Sequence, residues 1–200
     1  MVDFKLVPEN TVMVNIDLQN CFVDNADRGL EVVDRVNRLA MICRNAGILV
    51  IHTRHVVRPD HSNIGILGKL VPKVRDGMLD EGSESAAFYS DLWIEPNDVL
   101  LTKPRFGAFH GTDLDVILRS RGIDSLIITG ITTDVCCDTT AREANARDFK
   151  VFFLSDATTT SRPPESHRAT LELISTLFGQ VLTTEAVIAK INGAEGGEVR

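Results

Sequence analysis

The sequence lacks any apolar stretch that approaches the roughly 20 residues needed to cross a bilayer, so we expect no membrane association. It also lacks a basic run, since 21 Lys and Arg residues against 28 Asp and Glu residues give a formal net charge of −7. Because nucleic-acid binding depends on neutralising phosphates, we expect no nucleic-acid partner. The first residues show neither the basic start nor the apolar run of a secretion signal, so we expect a cytoplasmic protein.

Cysteine is scarce, and its spacing excludes two common uses of the residue. The four cysteines include no C-x-x-C pair of the kind found in redox and zinc sites, and they form no paired disulfide framework. In a cytoplasmic protein we expect them to be reduced thiols. They are Cys21, Cys43, Cys136 and Cys137.

Short apolar runs recur along the whole chain. With 200 residues, 44% of them hydrophobic, the chain fits one domain over residues 1–200, with residues 193–200 expected to be a disordered tail. The runs are rich in Val, Ile and Leu and predict six strands buried on both faces. These strands are Thr11–Ile16, Ile48–His52, Val99–Thr102, Ser125–Thr129, Val151–Leu154 and Gln180–Thr183.

Segments with helical spacing of apolar residues lie between these runs. They are Leu30–Ala46, Thr112–Arg121, Val135–Arg147, Pro164–Leu177 and Glu185–Ile191. The alternation predicts an α/β fold, a doubly wound and mostly parallel sheet with helices on both faces. One stretch, Arg54–Gly82, shows no clear period and is expected to form a lid or binding loop.

Three chemically active residues follow predicted strands. Asp17 follows the first strand, Lys103 follows the third, and Cys136 follows the fourth where a helix begins. Ligands of open α/β sheets bind at the carboxyl ends of the strands, so these side chains should meet at one edge. A helix N-terminus and a nearby ammonium group would lower the pKa of the thiol, and Asp17 would carry its proton.

Each of these residues also has an ordinary structural explanation. A strand-end Asp often anchors a hydrogen bond, a strand-end Lys is often a solvated charge, and a single Cys is often a small core residue. The convergence of all three at one edge favours a site, although the spacing alone leaves both interpretations open. Adjacent helical residues point about 100° apart, so only one of Cys136 and Cys137 can face the crevice.

Three motifs resemble the isochorismatase-like cysteine hydrolases, and they occur in the family's order across nearly the whole chain. They read Asp17-x-Gln19-x-x-Phe22, then Lys103-x-x-x-x-Ala108-Phe109-x-x-Thr112-x-Leu114, then Gly130-Ile131-x-Thr133-x-x-Cys136-x-x-Thr139-Thr140-Ala141-Arg142-Glu143-Ala144. The resemblance implies a sheet of order 3-2-1-4-5-6 and assembly as a homodimer or homotetramer.

The resemblance also implies a set of roles. It makes Asp17, Lys103 and Cys136 a catalytic triad and selects Cys136 over Cys137 as the nucleophile. It further implies a cis peptide between Ile131 and Thr132, which would turn the Thr132 N–H toward the Cys136 N–H to form an oxyanion hole. The reaction would be acyl transfer at an amide carbon through a thioester.

The implied substrate is a small linear amide or a ureido or carbamoyl compound. This preference follows from the similarity of Arg-Pro-Asp at residues 58–60 and Thr-Thr-Ala-Arg-Glu-Ala-Asn at 139–145 to members that hydrolyse biuret, ureidoacrylate or N-carbamoyl compounds. Five residues are expected to contact substrate, and they are Gln19, Phe22, Arg54, Phe106 and Ile131. Arg54, Arg58 and Arg105 are each candidates to hold a carboxylate, with a surface charge as the alternative for each.

Histidines after the second strand raise the alternative of a metal-dependent nicotinamidase. His52, His55 and His61 are of the right chemical type for zinc. Their order departs from the Asp-x-His pattern of nicotinamidases, and the charges of Arg54 and Arg58 oppose a cation. We therefore expect no metal and no other cofactor.

Three further alternatives stay open at this point. The chain could hydrolyse the vinyl ether of isochorismate, although retention of a cysteine favours amides. It could be a catalytically silent binding protein of the same fold. It could be a thiol redox protein that uses Cys136 and Cys137, although a disulfide between adjacent cysteines is strained.

Overall fold

One six-stranded sheet organises the structure, a computed structural model that describes residues 3–193. All neighbouring strands are parallel, and their order is β3-β2-β1-β4-β5-β6, which confirms the prediction. Beyond Gly193, the predicted tail lies outside the described residues. The strands are β1 Thr11–Ile16, β2 Leu49–His55, β3 Val99–Lys103, β4 Ser125–Ile131, β5 Lys150–Thr159 and β6 Gln180–Leu182.

Helices connect the strands on both sides of the sheet. They are α1 Asn20–Val23, α2 Gly29–Asn45, α3 Leu67–Leu70, α4 Pro72–Arg75, α5 Leu114–Ser120, α6 Asp138–Asn145, α7 Pro164–Leu173 and α8 Thr184–Ile191. A 3-10 turn spans Pro8–Asn10, and π-helical turns span Thr133–Cys137 and Ile174–Phe178. Among residues 3–193, no helix has the length and apolar character that a membrane span requires.

Alternate residues of the central strands pack into two separate hydrophobic cores, one on each face of the sheet. Met13 and Ile127 face the core beneath α2 and α8, whereas Val14 and Ile128 face the core beneath α5 and α6. All four side chains have no exposed surface. Because successive residues of a strand point to opposite faces, a sheet covered on both sides requires the continuous apolar runs seen in the sequence.

The chain departs from the predictions in several elements, among them β2, which was predicted to end at His52 and continues to His55. The segment predicted as a long loop contains the short helices α3 and α4. The strand predicted at Val151–Leu154 continues to Thr159, with a shift in register between Ile128 and Gly130 of its partner β4. The helix predicted from Val135 is instead a π-helical turn that passes into α6.

Candidate active site

The three residues predicted to converge do lie together at the carboxyl edge of the sheet. Asp17 directly follows β1, Lys103 ends β3, and Cys136 lies in the π-helical turn after β4. Lys103 Nζ is 2.7 Å from Asp17 Oδ2, and neither side chain has exposed surface. Cys136 Sγ lies within 4.8 Å of an Asp17 carboxylate oxygen, and the residue is only 4% exposed.

Lys103 is held by three partners that match its three protons. Besides Asp17, the ammonium group donates to the backbone carbonyls of Arg105 at 2.9 Å and Phe106 at 2.8 Å. Burial alone would lower the pKa of Lys103, but attraction to Asp17 and then to Cys136 outweighs it and raises that pKa. The side chain is therefore a fixed positive charge beside the carboxylate.

Asp17 is fixed by β2 in a left-handed backbone conformation with φ of 50°. The Thr53 hydroxyl donates to Asp17 Oδ1 at 2.7 Å, and the Asp17 N–H donates back to the Thr53 carbonyl at 3.2 Å. These bonds hold one carboxylate oxygen toward Thr53 and the other toward Lys103. The carboxylate thereby contacts the ammonium group while lying within 4.8 Å of the thiol.

The thiol of Cys136 is neutral in the free protein. Its pKa is raised from 9.0 to about 12, chiefly by burial and with the negative charge of Asp17 acting in the same direction, while Lys103 and the Thr132 backbone act in the opposite direction. The expectation of a lowered pKa is therefore wrong, because burial outweighs the positive charge. A nucleophilic Cys136 must lose its proton as it attacks, and Asp17 is the adjacent base.

The backbone before Cys136 has the geometry that the resemblance implies. The peptide between Ile131 and Thr132 is cis, and the Thr132 backbone lies within hydrogen-bonding reach of the Cys136 sulfur. Gly130 precedes them with φ of +113°, and a Cβ there would lie 2.0 Å from the Ile16 carbonyl oxygen. Only glycine therefore lets β4 approach β1 this closely at the edge of the site.

Cys137 has the structural role expected of it. Its side chain has no exposed surface and packs in the core beneath α5 and α6. Its sulfur lies 3.8 Å from the Thr129 carbonyl oxygen. Like Cys21, Cys43 and Cys136, it is unpaired.

Gln19 binds backbone groups rather than an open pocket. Its Nε2 donates to the carbonyls of His55 at 3.1 Å and Ala86 at 2.8 Å, and its Oε1 accepts from the His55 N–H at 2.7 Å. The residue has no exposed surface. In place of the predicted substrate contact, the structure gives Gln19 a positioning role for the end of β2.

Two other predicted contact residues pack into the protein. Phe22 is partly buried against the core beneath α2 and against a small cluster that includes Leu67 and Leu79. The Ile131 side chain has no exposed surface and belongs to the core. Ile131 therefore contributes its backbone, rather than its side chain, to the edge of the site.

Of the last two residues predicted to contact substrate, Arg54 lies away from the triad and Phe106 lies beside it. Arg54 points to the face of β2 opposite Thr53 and donates to Thr102 Oγ1 at 3.1 Å, so the structure does not bring it to the triad. Phe106 stays at the site, because its carbonyl accepts from Lys103 and its ring packs edge-on against His55 with centroids 5.7 Å apart. At 38% exposure, Phe106 lies between the buried site and solvent.

The three histidines suspected of binding a metal do not meet. His52 contacts Asn15 and Asp98, each at 3.2 Å, and His61 contacts Asp80 at 2.8 Å. Only His55 reaches the site. One of its ring nitrogens lies within 4.8 Å of both the Asp17 carboxylate and Cys136 Sγ.

His55 is thus a site residue whose place the sequence reasoning did not recognise. It pairs with Lys103 in the register of β2 and β3, and it lies on the same face of β2 as Thr53. The predicted strand ended at His52, whereas β2 runs to His55, so the sequence placed this histidine in a loop and not on the strand that carries it to the site. Without the register between strands, nothing distinguished it from His52 and His61.

The sheet and its edge define the class of protein, a doubly wound α/β enzyme with a buried carboxylate, ammonium group and thiol at the strand ends. The family model of the Isochorismatase domain matches residues 11–186. The chain belongs to the isochorismatase family.

Individual relatives agree with this assignment. The ureidoacrylate amidohydrolase RutB of Methylorubrum extorquens is 31% identical, covering 94% of this chain and 86% of that protein. A cysteine hydrolase from Pseudomonas syringae pv. phaseolicola 1448A superposes with a TM-score of 0.90 at 32% identity, covering 96% of this chain and 97% of the other. N-carbamoylsarcosine amidase from Thermoplasma acidophilum shares the fold, with a TM-score of 0.73 at 22% identity, covering 88% of this chain and 97% of the other.

Proposed function

We propose that this protein is a cysteine amidohydrolase that cleaves a C–N bond of a small linear amide or of a ureido or carbamoyl compound. The observation that carries the proposal is the buried cluster in which Asp17 contacts the Lys103 ammonium group and lies within 4.8 Å of the Cys136 thiol. Similarity to ureidoacrylate amidohydrolases over 94% of the chain supports this class of substrate.

In the first half of the proposed reaction, Cys136 attacks the substrate carbonyl carbon as its thiol proton passes to Asp17. The negative charge that develops on the carbonyl oxygen is stabilised by the backbone N–H groups of Thr132 and Cys136. The C–N bond then breaks, and Asp17 returns the proton to the leaving nitrogen. The products of this half are a free amine or ammonia and a thioester on Cys136.

Water completes the proposed cycle. Asp17 takes a proton from the water as the water oxygen attacks the thioester carbonyl, and the same two N–H groups stabilise the oxyanion again. The C–S bond breaks, the Cys136 sulfur recovers a proton, and a carboxylic or carbamic acid leaves. In both halves of the reaction, the positive charge of Lys103 balances the negative charge of Asp17 and holds the carboxylate in place.

The burial of the site supports a small substrate. Asp17 and Lys103 are fully enclosed, Cys136 is 4% exposed, and Phe106 is the most exposed of the residues around them. We propose that Phe106 and the backbone at Ile131 line the entrance. Gln19 and Phe22 contribute by positioning the surrounding chain.

Ammonia release tests the proposal directly. The purified protein is incubated with biuret, N-carbamoyl amino acids and simple primary amides, and ammonia is measured together with the intact mass of acid-quenched protein. The proposal expects ammonia from members of this set and a mass increase that equals the acyl group. Turnover of isochorismate with no ammonia from any amide would instead favour a vinyl-ether hydrolase.

The same proposal includes location and assembly. Four unpaired thiols are typical of a reducing compartment, which supports a cytoplasmic protein. Assembly as a homodimer or homotetramer is a further expectation, which sedimentation of the purified protein would test.

A further inference from the structure

His55 has a defined tautomer in its neutral form. One ring nitrogen lies within hydrogen-bonding reach of the Pro104 backbone, and because Nε2 is the nitrogen without a partner, we assign this contact to Nδ1. A proline has no backbone N–H, so Pro104 can only accept through its carbonyl. Nδ1 therefore carries the ring proton, and Nε2 of the neutral ring presents a lone pair.

This lone pair is enclosed and unsatisfied. His55 is 1% exposed, and its Nε2 is buried without a hydrogen-bond partner. Burial, and after it the charge of Lys103, lower the pKa of His55 from 6.5 to about 4, so the ring stays neutral near pH 7. A buried acceptor without a donor is unfavourable, and this one lies beside the proposed catalytic residues.

The neighbouring side chains cannot supply the missing donor. The three Lys103 protons are already directed to Asp17 and to the carbonyls of Arg105 and Phe106. Asp17 is itself an acceptor. The thiol of Cys136 gives up its proton during the proposed reaction, so none of these three side chains donates to Nε2 at that stage, and a substrate N–H is suited to do so.

We infer that His55 Nε2 accepts a hydrogen bond from an N–H of the scissile nitrogen, and that the site thereby prefers substrates with an unsubstituted amide or carbamoyl –NH2 group. This inference rests on the proposed amidohydrolase function. With its carbonyl carbon at Cys136 and its oxygen at the Thr132 N–H, a bound amide has its nitrogen on the remaining side, near Asp17 and His55. His55 would hold that nitrogen where Asp17 can protonate it.

Two substitutions separate this role from a structural one. An Asn amide places its polar atoms where His has Nδ1, so His55→Asn keeps the bond to Pro104 and loses the acceptor at the Nε2 position. A Gln amide reaches the Nε2 position, so His55→Gln keeps an acceptor there and loses the bond to Pro104. We expect His55→Asn to lower kcat/KM for ammonia release about tenfold or more, and His55→Gln to stay within about threefold of wild type.

The opposite pattern would overturn the inference, since activity retained in His55→Asn and lost in His55→Gln would assign His55 to anchoring Pro104. Equal losses in both variants, accompanied by equal drops in unfolding temperature, would also overturn it by assigning a packing role. Wild-type protein that releases no ammonia from any amide would overturn the proposed function and the inference together. If wild type releases ammonia but His55→Asn keeps its activity or His55→Gln loses it, the inference alone is overturned and the proposed function stands.

Discussion

We expect substitutions in the buried ion pair of Asp17 and Lys103 to have non-additive effects on the free energy of unfolding. Replacing Lys103 with Met leaves the Asp17 carboxylate enclosed with only Thr53 as a side-chain partner, 2.7 Å away. Removing one member of a buried pair costs about 3–5 kcal/mol, because the remaining charge is uncompensated. We expect Lys103→Met and Asp17→Asn each to lower the free energy of unfolding by an amount of this order.

The double variant Asp17→Asn/Lys103→Met provides the control. It removes both charges, so its loss in the free energy of unfolding should be smaller than the sum of the single losses by about 1 kcal/mol or more. Urea unfolding of wild type and the three variants at pH 7 measures all four values. Additive losses would show that the two charges do not stabilise each other, and the site described here would be wrong.

The pH dependence of this stability has a definite sign. The folded protein holds the pKa of Lys103 above its ordinary value of 10.5, because of Asp17, and raises the pKa of Cys136 from 9.0 to about 12 by burial. Both contributions are complete below the unfolded pKa values and are lost as the pH rises through the folded ones. Wild-type stability should therefore fall above about pH 9, first through Cys136 together with Cys21, Cys43 and Cys137, whose pKa values burial also raises above 9.0.

Three further predictions concern the site. Lys103→Met should raise the pKa of Cys136 and slow its alkylation by iodoacetamide at a given pH. Asp17→Asn should lower that pKa and speed alkylation. If neither variant changes the pH profile of alkylation, the two residues do not interact with the thiol. Gly130→Ala should destabilise the protein by about 1–3 kcal/mol, because its methyl group would meet the Ile16 carbonyl at 2.0 Å, and unchanged urea unfolding would refute the close approach. Activity should survive exhaustive dialysis against a chelator, and loss restored by zinc, iron or manganese would indicate a metal enzyme.

The placement of Asp17, Lys103 and Cys136 was predictable because it follows from one rule about parallel sheets. Each residue stands at the end of a Val-, Ile- or Leu-rich run, and the carboxyl ends of parallel strands form one edge. The alternation of periods predicted the parallel sheet and the helices between its strands, and the family resemblance implied the strand order. The family motifs then distinguished Cys136 from Cys137.

The remaining features depend on contacts that no local pattern records. Arg54 was expected at the site, but the alternation of β2 directs His55 there and turns Arg54 away. Gln19 follows Asp17 by two residues, yet its amide holds the backbone of the neighbouring strand. The high pKa of Cys136 results from burial, which depends on how the whole chain closes over the site.

Paired cysteine variants test the central claim most directly. With an amide or carbamoyl substrate that wild type hydrolyses, Cys136→Ala should lose ammonia release by roughly a thousandfold or more, because no other group can form the thioester. Cys137→Ala should retain most of the activity, with a modest loss in stability from its buried position. An active Cys136→Ala variant, or an inactive but folded Cys137→Ala variant, would contradict the account.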